Sequence, residues 1–329
     1  MNTSETSPIT ALEYQPADDY LHPAAHDGDW WGTETYWFSF NDPQRGLGGW
    51  LYTMVRPTIG TVAGGAWIWD DTASLPWEVL HYSNYTALPW REQDESDSIH
   101  FPTGLTLSIL EPGMSYRLQY EDGDRAQLDL HFEGVMPPEP LRTGKSTFGR
   151  AAHFDQLGRV RGTLAVAGEQ VDIDCLAMRD RTWGRRREDR PARAAYVTGA
   201  FSEDEAFLLV TGNSKTEENA AYGFLRRDGR TVPLAEGTRI VERHPEHGWV
   251  SHIGVTVRDC DGRELNATGT PINRIVINRH TFIDINSVIR WTIDGVPAEG
   301  WGEDQDMWPV HAWAENHRRI RGADGSELG

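Results

Sequence analysis

Apolar and polar residues alternate along much of this chain, and a period of two confines it to antiparallel strands. Tyr116, Leu118 and Tyr120 alternate with Arg117, Gln119 and Glu121. Leu128, Leu130 and Phe132 alternate with Asp129, His131 and Glu133, and Val255 and Val257 with Thr256 and Arg258. One apolar and one polar face marks a half-buried strand. Asp-Gly pairs at Asp122-Gly123, Asp228-Gly229, Asp261-Gly262 and Asp294-Gly295 stand between such runs. Asp-Gly supplies the positive φ that tight hairpins require. The run Ala206-Phe207-Leu208-Leu209-Val210 reads as a strand buried throughout. Helical signal is scarce: residues 308–320 offer one candidate, which Pro309 leaves open. Many short strands joined by hairpins indicate a sandwich or barrel, not βαβ units.

The length, 329 residues, suits one large or two medium domains. A charged, proline-containing stretch from Arg185 to Arg193 separates two strand-rich halves. The expected division is an amino-terminal domain at 1–182 and a carboxy-terminal domain at 183–329, with about ten residues of play. Hydrophobic residues are only 38% of the chain, yet it carries 14 Trp, 10 Tyr and 10 Phe. Bulky aromatics must therefore supply much of the burial, which suits pleated faces and apolar cavity walls.

The net charge of −19 argues against nucleic acid as a partner and against docking on anionic membranes. The start, Met1 to Thr6, has no basic or apolar leader pattern, and no run approaches the roughly 18 apolar residues of a membrane span. A soluble, cytoplasmic protein is the expectation; homodimerisation stays open. Acidic residues 92–97 read as solvated loop. Cys175 and Cys260 have no CxxC spacing and read as small buried hydrophobes. His244, His247 and His252 flank Pro245 and Gly248, so they read as a turn and not as a metal motif. No metal and no cofactor is expected.

Chemistry concentrates in Arg179-Asp180-Arg181-Thr182-Trp183-Gly184-Arg185. It follows the strand-like run Val171 to Met178 and reads as a loop bending at Gly184, where positive φ is cheap. In an apolar pocket Asp180 would hold a proton near neutral pH and serve as a general acid. If Arg179 and Arg181 point at it, it stays ionised and acts as base, orienter or plain ion pair. Trp183 reads as core or as a wall whose π face steadies a carbocation. Glu34 lies in the aromatic run Trp30 to Phe40, in alternation with Tyr36, and is either a paired structural acid or a proton partner. His153 and Asp155, one residue apart, share a strand face and could form an oriented base. Glu303-Asp304-Gln305-Asp306 reads as solvated loop, or as paired carboxyls near a barrel mouth.

Three segments resemble the AttH-like, carotenoid 1,2-hydratase (hydroxyneurosporene synthase) superfamily. The first is Trp30-Trp31-Gly32-Thr33-Glu34-Thr35-Tyr36-Trp37-Phe38, followed by Asn41-Asp42-Pro43 and Gly46-Leu47-Gly48-Gly49-Trp50. The second is His153-Phe154-Asp155-Gln156 leading to Gly158, and the third is the Arg179–Arg185 segment itself. Their order and spacing match across most of the chain. One departure is Arg181, where family members often carry His, so a mechanism using that His is not available.

The resemblance implies an all-β fold of two tandem lipocalin-like antiparallel β-barrel domains. It further implies a terpenoid- or steroid-like substrate. Together with carboxyls set among aromatics, this points to a cofactor-independent hydratase, dehydratase or isomerase working on a hydrophobic small molecule. In that reading Asp180 is acid or orienter, and Glu34 and His153 are proton partners. Trp183, Tyr36, Trp37 and Arg179 contact substrate. The rival is a non-catalytic carrier or sensor of a lipophilic ligand.

Overall fold

The computed structural model describes residues 13–22, 28–91, 97–141, 150–186, 193–212, 218–279, 282–293 and 296–323. The start of the chain, the acidic run at 92–96, linker residues 187–192 and the Asp294-Gly295 pair lie outside them. The architecture is all-β, two tandem lipocalin-like antiparallel barrels. The first is a curled sheet with strand order His81–Pro89, Thr61–Trp69, Leu47–Arg56, Gly32–Asp42, Glu169–Arg185, Arg150–Val166, Ala126–Gly134, Ser115–Asp122, Leu105–Glu111, Ser98–His100. The short strand Glu139–Pro140 also pairs with Arg150–Val166.

The second sheet runs Glu264–Pro271, Val250–Asp259, Arg230–Arg243, Glu218–Arg227, Glu205–Gly212, Ala194–Ser202, Val296–Pro309, Phe282–Ile293, Ile275–Arg279. Pairing of Glu264–Pro271 with Phe282–Ile293 closes eight of these strands into a barrel. One helix, Val310–Ala323, follows the last strand. Among the described residues no helix is long and apolar enough to cross a membrane.

Turn chemistry sets the registers. Asp228 and Gly229 both take positive φ, 52° and 72°, and Arg227 pairs directly with Arg230 across them. This is the two-residue turn whose twist matches the strands it joins. Cys260, read as buried, instead lies exposed just past Val250–Asp259.

Burial explains the aromatic content. Each barrel has its own core: Tyr36, Phe38, Leu51, Tyr116 and Phe132 in the first, Phe207, Leu209, Val257, Ile289 and Trp291 in the second. A third cluster joins the outer faces of both sheets, with Trp37, Trp50, Tyr52, Trp67 and Trp69 against Tyr196, Leu208, Val210 and Phe224. The run Ala206–Val210 is buried at every position because Phe207 and Leu209 face the barrel core while Ala206, Leu208 and Val210 face this seam. Hydrogen bonds cross the seam too: Trp50 Nε1 donates to Glu303 (2.7 Å), Trp69 Nε1 to Asn273 (2.9 Å) and Asn273 Nδ2 to the Gly46 carbonyl (2.6 Å).

Candidate functional site

The Arg179–Arg185 segment is not a loop. It completes the strand Glu169–Arg185, which lies between Gly32–Asp42 and Arg150–Val166 and pairs with both through its last residue. With ladders on either side the backbone cannot bend at Gly184, whose φ of 109° is absorbed within the strand. Alternation therefore sorts the segment: Arg179, Arg181 and Trp183 face the first barrel's interior, and Asp180 and Thr182 face the seam.

On the barrel side Arg179 and Arg181 are each matched by an acid. Arg179 pairs with Asp19 (3.0 Å), donates to Gln156 Oε1 (2.6 Å) and bonds Tyr116 Oη. Asp19 also accepts from Tyr14 Oη, Tyr116 Oη and the Gly113 amide, each at 2.6 Å. Burial pushes the Asp19 carboxyl up, but Arg179 and these donors prevail and hold it below the usual carboxylate range. Arg181 pairs with Glu34 and donates to the Tyr20 (2.7 Å) and Thr182 (2.8 Å) carbonyls. Glu34 also accepts from the His22 amide (2.9 Å), and Tyr36 Oη donates to the Asp19 carbonyl (2.9 Å). The His22 ring stacks on Trp183 at 5.1 Å. Glu34, Tyr36, Arg179 and Trp183 thus converge on the segment 14–22. Glu34 and Arg181 are wholly inaccessible to solvent.

The seam side is arranged differently. His153 and Asp155 sit on the neighbouring strand, opposite Thr182 and Asp180. His153 Nε2 lies 3.0 Å from Asp155 Oδ2, and His153 Nδ1 lies 2.8 Å from Thr182 Oγ1. From the second barrel, Tyr196 Oη donates to Asp155 Oδ1 (2.7 Å) and Tyr222 Oη reaches His153 Nε2 (3.1 Å). A carboxylate oxygen only accepts, so the contact with Asp155 assigns the proton to Nε2 and leaves Nδ1 to accept from Thr182.

Asp180 is half-buried, and its carboxylate, the His153 ring and the Asp155 carboxylate lie within 4.8 Å of one another. Among the described residues it makes no hydrogen bond or ion pair. Burial pushes its pKa up to about 6, with Asp155 adding to the rise and His153, Arg186 and Arg279 opposing it. Trp37, directly across from Asp180, packs edge-on against Trp50 (5.5 Å) and Tyr196 (5.4 Å), and its buried Nε1 has no acceptor among the described residues.

A family model described as "Domain of unknown function (DUF7064)" matches residues 15–307. The chain belongs to the DUF7064 family. No curated protein matches its sequence. Among solved structures it is similar to kievitone hydratase from Nectria haematococca, with a TM-score of 0.59 at 11% identity, covering 92% of this chain and 96% of that one. An AttH candidate from Nitrosomonas europaea superposes with a TM-score of 0.54 at 16% identity, covering 92% and 99%. CghA superposes with a TM-score of 0.55 at 11% identity, covering 94% of each chain. At these identities the likeness is one of fold, the AttH-like tandem barrel.

This DUF7064 chain carries a third acid in the seam, besides Asp155 and Asp180. Glu303-Asp304-Gln305-Asp306 is no solvated loop; all four residues are buried in the strand Val296–Pro309. Asp304 and Asp306 turn to the second barrel and pair with Arg239 (2.7 Å) and Arg243 (2.6 Å). Glu303 turns to the seam, where Oε2 accepts from Trp50 and, at 3.3 Å, from Asn286. Burial outweighs these donors and lifts its pKa to about 8. Glu303 Oε1 has no hydrogen-bond partner among the described residues and lies at a cavity of about 10 Å³ lined by Ser39, Asn41, Thr198 and Trp301.

The structure therefore brings together Asp180, His153 and Trp37 and sets Glu34, Tyr36, Trp183 and Arg179 on the opposite side of the sheet. Tyr196 and Tyr222 escaped the sequence reading, because they come from other strands, 11 and 37 residues beyond Arg185. The all-apolar run Ala206–Val210 was the one signal that the second barrel's outer face is covered.

Proposed function

We propose that this chain is a hydro-lyase or isomerase that acts on a hydrophobic, terpenoid- or steroid-like small molecule by acid–base chemistry of its own side chains at the seam. Each barrel is a domain in this reading, meeting at 182–183 with about ten residues of play. The observation that carries it is Asp180: a carboxyl with no partner among the described residues, held near neutral pKa beside an oriented His153–Asp155 pair and under Trp37. A group with pKa about 6 is both a competent donor and a competent acceptor at neutral pH. The tandem-barrel likeness to kievitone hydratase supports the reaction class by analogy of fold.

For hydration, Asp180 delivers its proton to one alkene carbon, and the electron pair of the double bond forms the new C–H bond. The cation left on the other carbon is steadied by the π faces of Trp37 and Tyr196. Water attacks it and passes its surplus proton to the Thr182 hydroxyl, which hands its own to His153 Nδ1 while Nε2–H stays on Asp155. Dehydration runs the same steps in reverse, and loss of a proton from a different carbon gives an isomer. Glu34, Tyr36, Trp183 and Arg179 then serve the reaction indirectly, by fixing the segment 14–22 and the strand that carries Asp180.

The test is incubation with a panel of hydroxylated steroids and terpenoids, read by mass spectrometry. A gain or loss of one water, or an isomer of unchanged mass with a shifted retention time, is expected, with at least a hundredfold loss in Asp180→Asn. Ligand binding with no product, and unchanged affinity in Asp180→Asn, would make the chain a carrier instead.

A further inference from the structure

Arg274 stands apart from most half-buried and buried arginines among the described residues, which this acidic chain pairs with carboxylates. Arg117 has Asp129, Arg159 has Asp174, Arg263 has Asp259 and Arg279 has Asp284. Arg274 is half-buried, yet among the described residues it has neither a carboxylate within ion-pair distance nor a hydrogen bond, in a chain of net charge −19. Its Nε is sealed from solvent without an acceptor. Burial alone pushes its pKa down, with no acid offsetting the effect.

What surrounds Arg274 is aromatic. Its guanidinium carbon lies 4.6 Å from the centre of the Trp249 ring. Trp249 stacks with His247 at 4.2 Å and 28°, and His247 stacks with His244 at 4.7 Å and 23°. A desolvated guanidinium recovers part of its lost hydration from a tryptophan face. A buried donor without an acceptor still forfeits a hydrogen bond.

We propose that Arg274, Trp249 and His247 form a binding site for a small ring-bearing carboxylate, separate from the seam and independent of the chemistry proposed there. The planar fork of an arginine matches a carboxylate edge to edge through two parallel N–H···O bonds. One guanidinium balances one negative charge. Glu246, whose carboxylate lies 3.8 Å from His247 Nε2, disfavours a doubly charged phosphate. The rims of Trp249 and His247, whose faces are taken by Arg274 and His244, provide the apolar flank against which a ring attached to the carboxylate would lie edge-on.

Sodium benzoate, titrated at constant ionic strength and followed by isothermal calorimetry and by the Trp249 indole N–H resonance, tests this. Saturable binding is expected, with benzamide and inorganic phosphate each at least tenfold weaker. Arg274→Gln should lose binding at least tenfold and Arg274→Lys should retain part of it, both with the wild-type circular dichroism. Should Arg274→Gln disturb the fold, Trp249→Leu serves in its place, with the same tenfold loss expected. No benzoate binding, equal binding of benzamide, or affinity unchanged in a folded variant overturns the site.

Discussion

The two sides of the strand Glu169–Arg185 carry charges one residue apart and treat them in opposite ways. On the barrel side Arg179 and Arg181 are locked to Asp19 and Glu34 among Tyr14, Tyr36 and Tyr116, so that each of these four charges is opposed by another. On the seam side Asp180 faces a histidine and a second acid, and the pull of Arg186 and Arg279 does not overcome its burial. Neighbours in sequence are thus not neighbours in space: the pleat sends Arg179 and Arg181 away from Asp180. A matched charge holds structure, and an unmatched one near neutral pKa is free to move protons.

Breaking the matched side should cost the most. Arg181→Met leaves the Glu34 carboxylate buried and unopposed, and Glu34→Ala leaves the guanidinium so; each should lower stability by about 3–5 kcal/mol in urea unfolding. Removing both partners together, as Glu34→Leu with Arg181→Met, should recover most of that loss, because no lone charge remains. Two losses that simply add would show that the pair is not coupled.

This contrast was only half visible in the sequence. The strands were legible because alternation and Asp-Gly turns are local, and the all-β tandem architecture follows from them together with the motifs. The register of Glu169–Arg185 was not: a cluster of charges with a glycine imitates a loop, and only pairing on both sides reveals a central strand. Asp180, His153 and Trp37 could be singled out as reactive or apolar residues. That Glu34 and Trp183 look the other way depends on counting twos from a strand edge that the sequence does not mark. Glu303 was misread because four polar residues in a row resemble a surface, whereas here one pair faces a charged barrel interior and the other an aromatic seam.

Glu303 extends the unmatched side into the second barrel and sharpens the comparison through pH. Its pKa rises from 4.5 to about 8 on folding, through burial. A carboxyl raised in this way gives its full stabilisation below pH 4.5, where both states hold the proton. That contribution is lost as pH climbs through 8, because the folded state resists ionising. Glu303→Gln carries no such proton. It should match the wild type near pH 4 and become the more stable protein by on the order of 3 kcal/mol above pH 8, measured by urea unfolding across that range. A difference that does not change with pH would mean that Glu303 is ionised in the fold and matched after all.

Asp180→Asn should change stability least, and its sign separates the two sides most cleanly. The folded pKa of Asp180 is raised from 3.8 to about 6, so its contribution is complete below pH 3.8 and is lost as pH rises through 6. Solvent reaches this half-buried group and screens the effect, so the gain for Asn at pH 7.5 should be about 1 kcal/mol or less, vanishing near pH 4. The variant should thus be slightly more stable and inactive, whereas Glu34→Ala should be inactive only because it unfolds. Urea unfolding at the two pH values, beside the mass-spectrometric assay, distinguishes them. Were Asp180→Asn to lose 3 kcal/mol or more at pH 7.5, Asp180 would be a matched structural charge like Glu34, and the division between the two faces would fall.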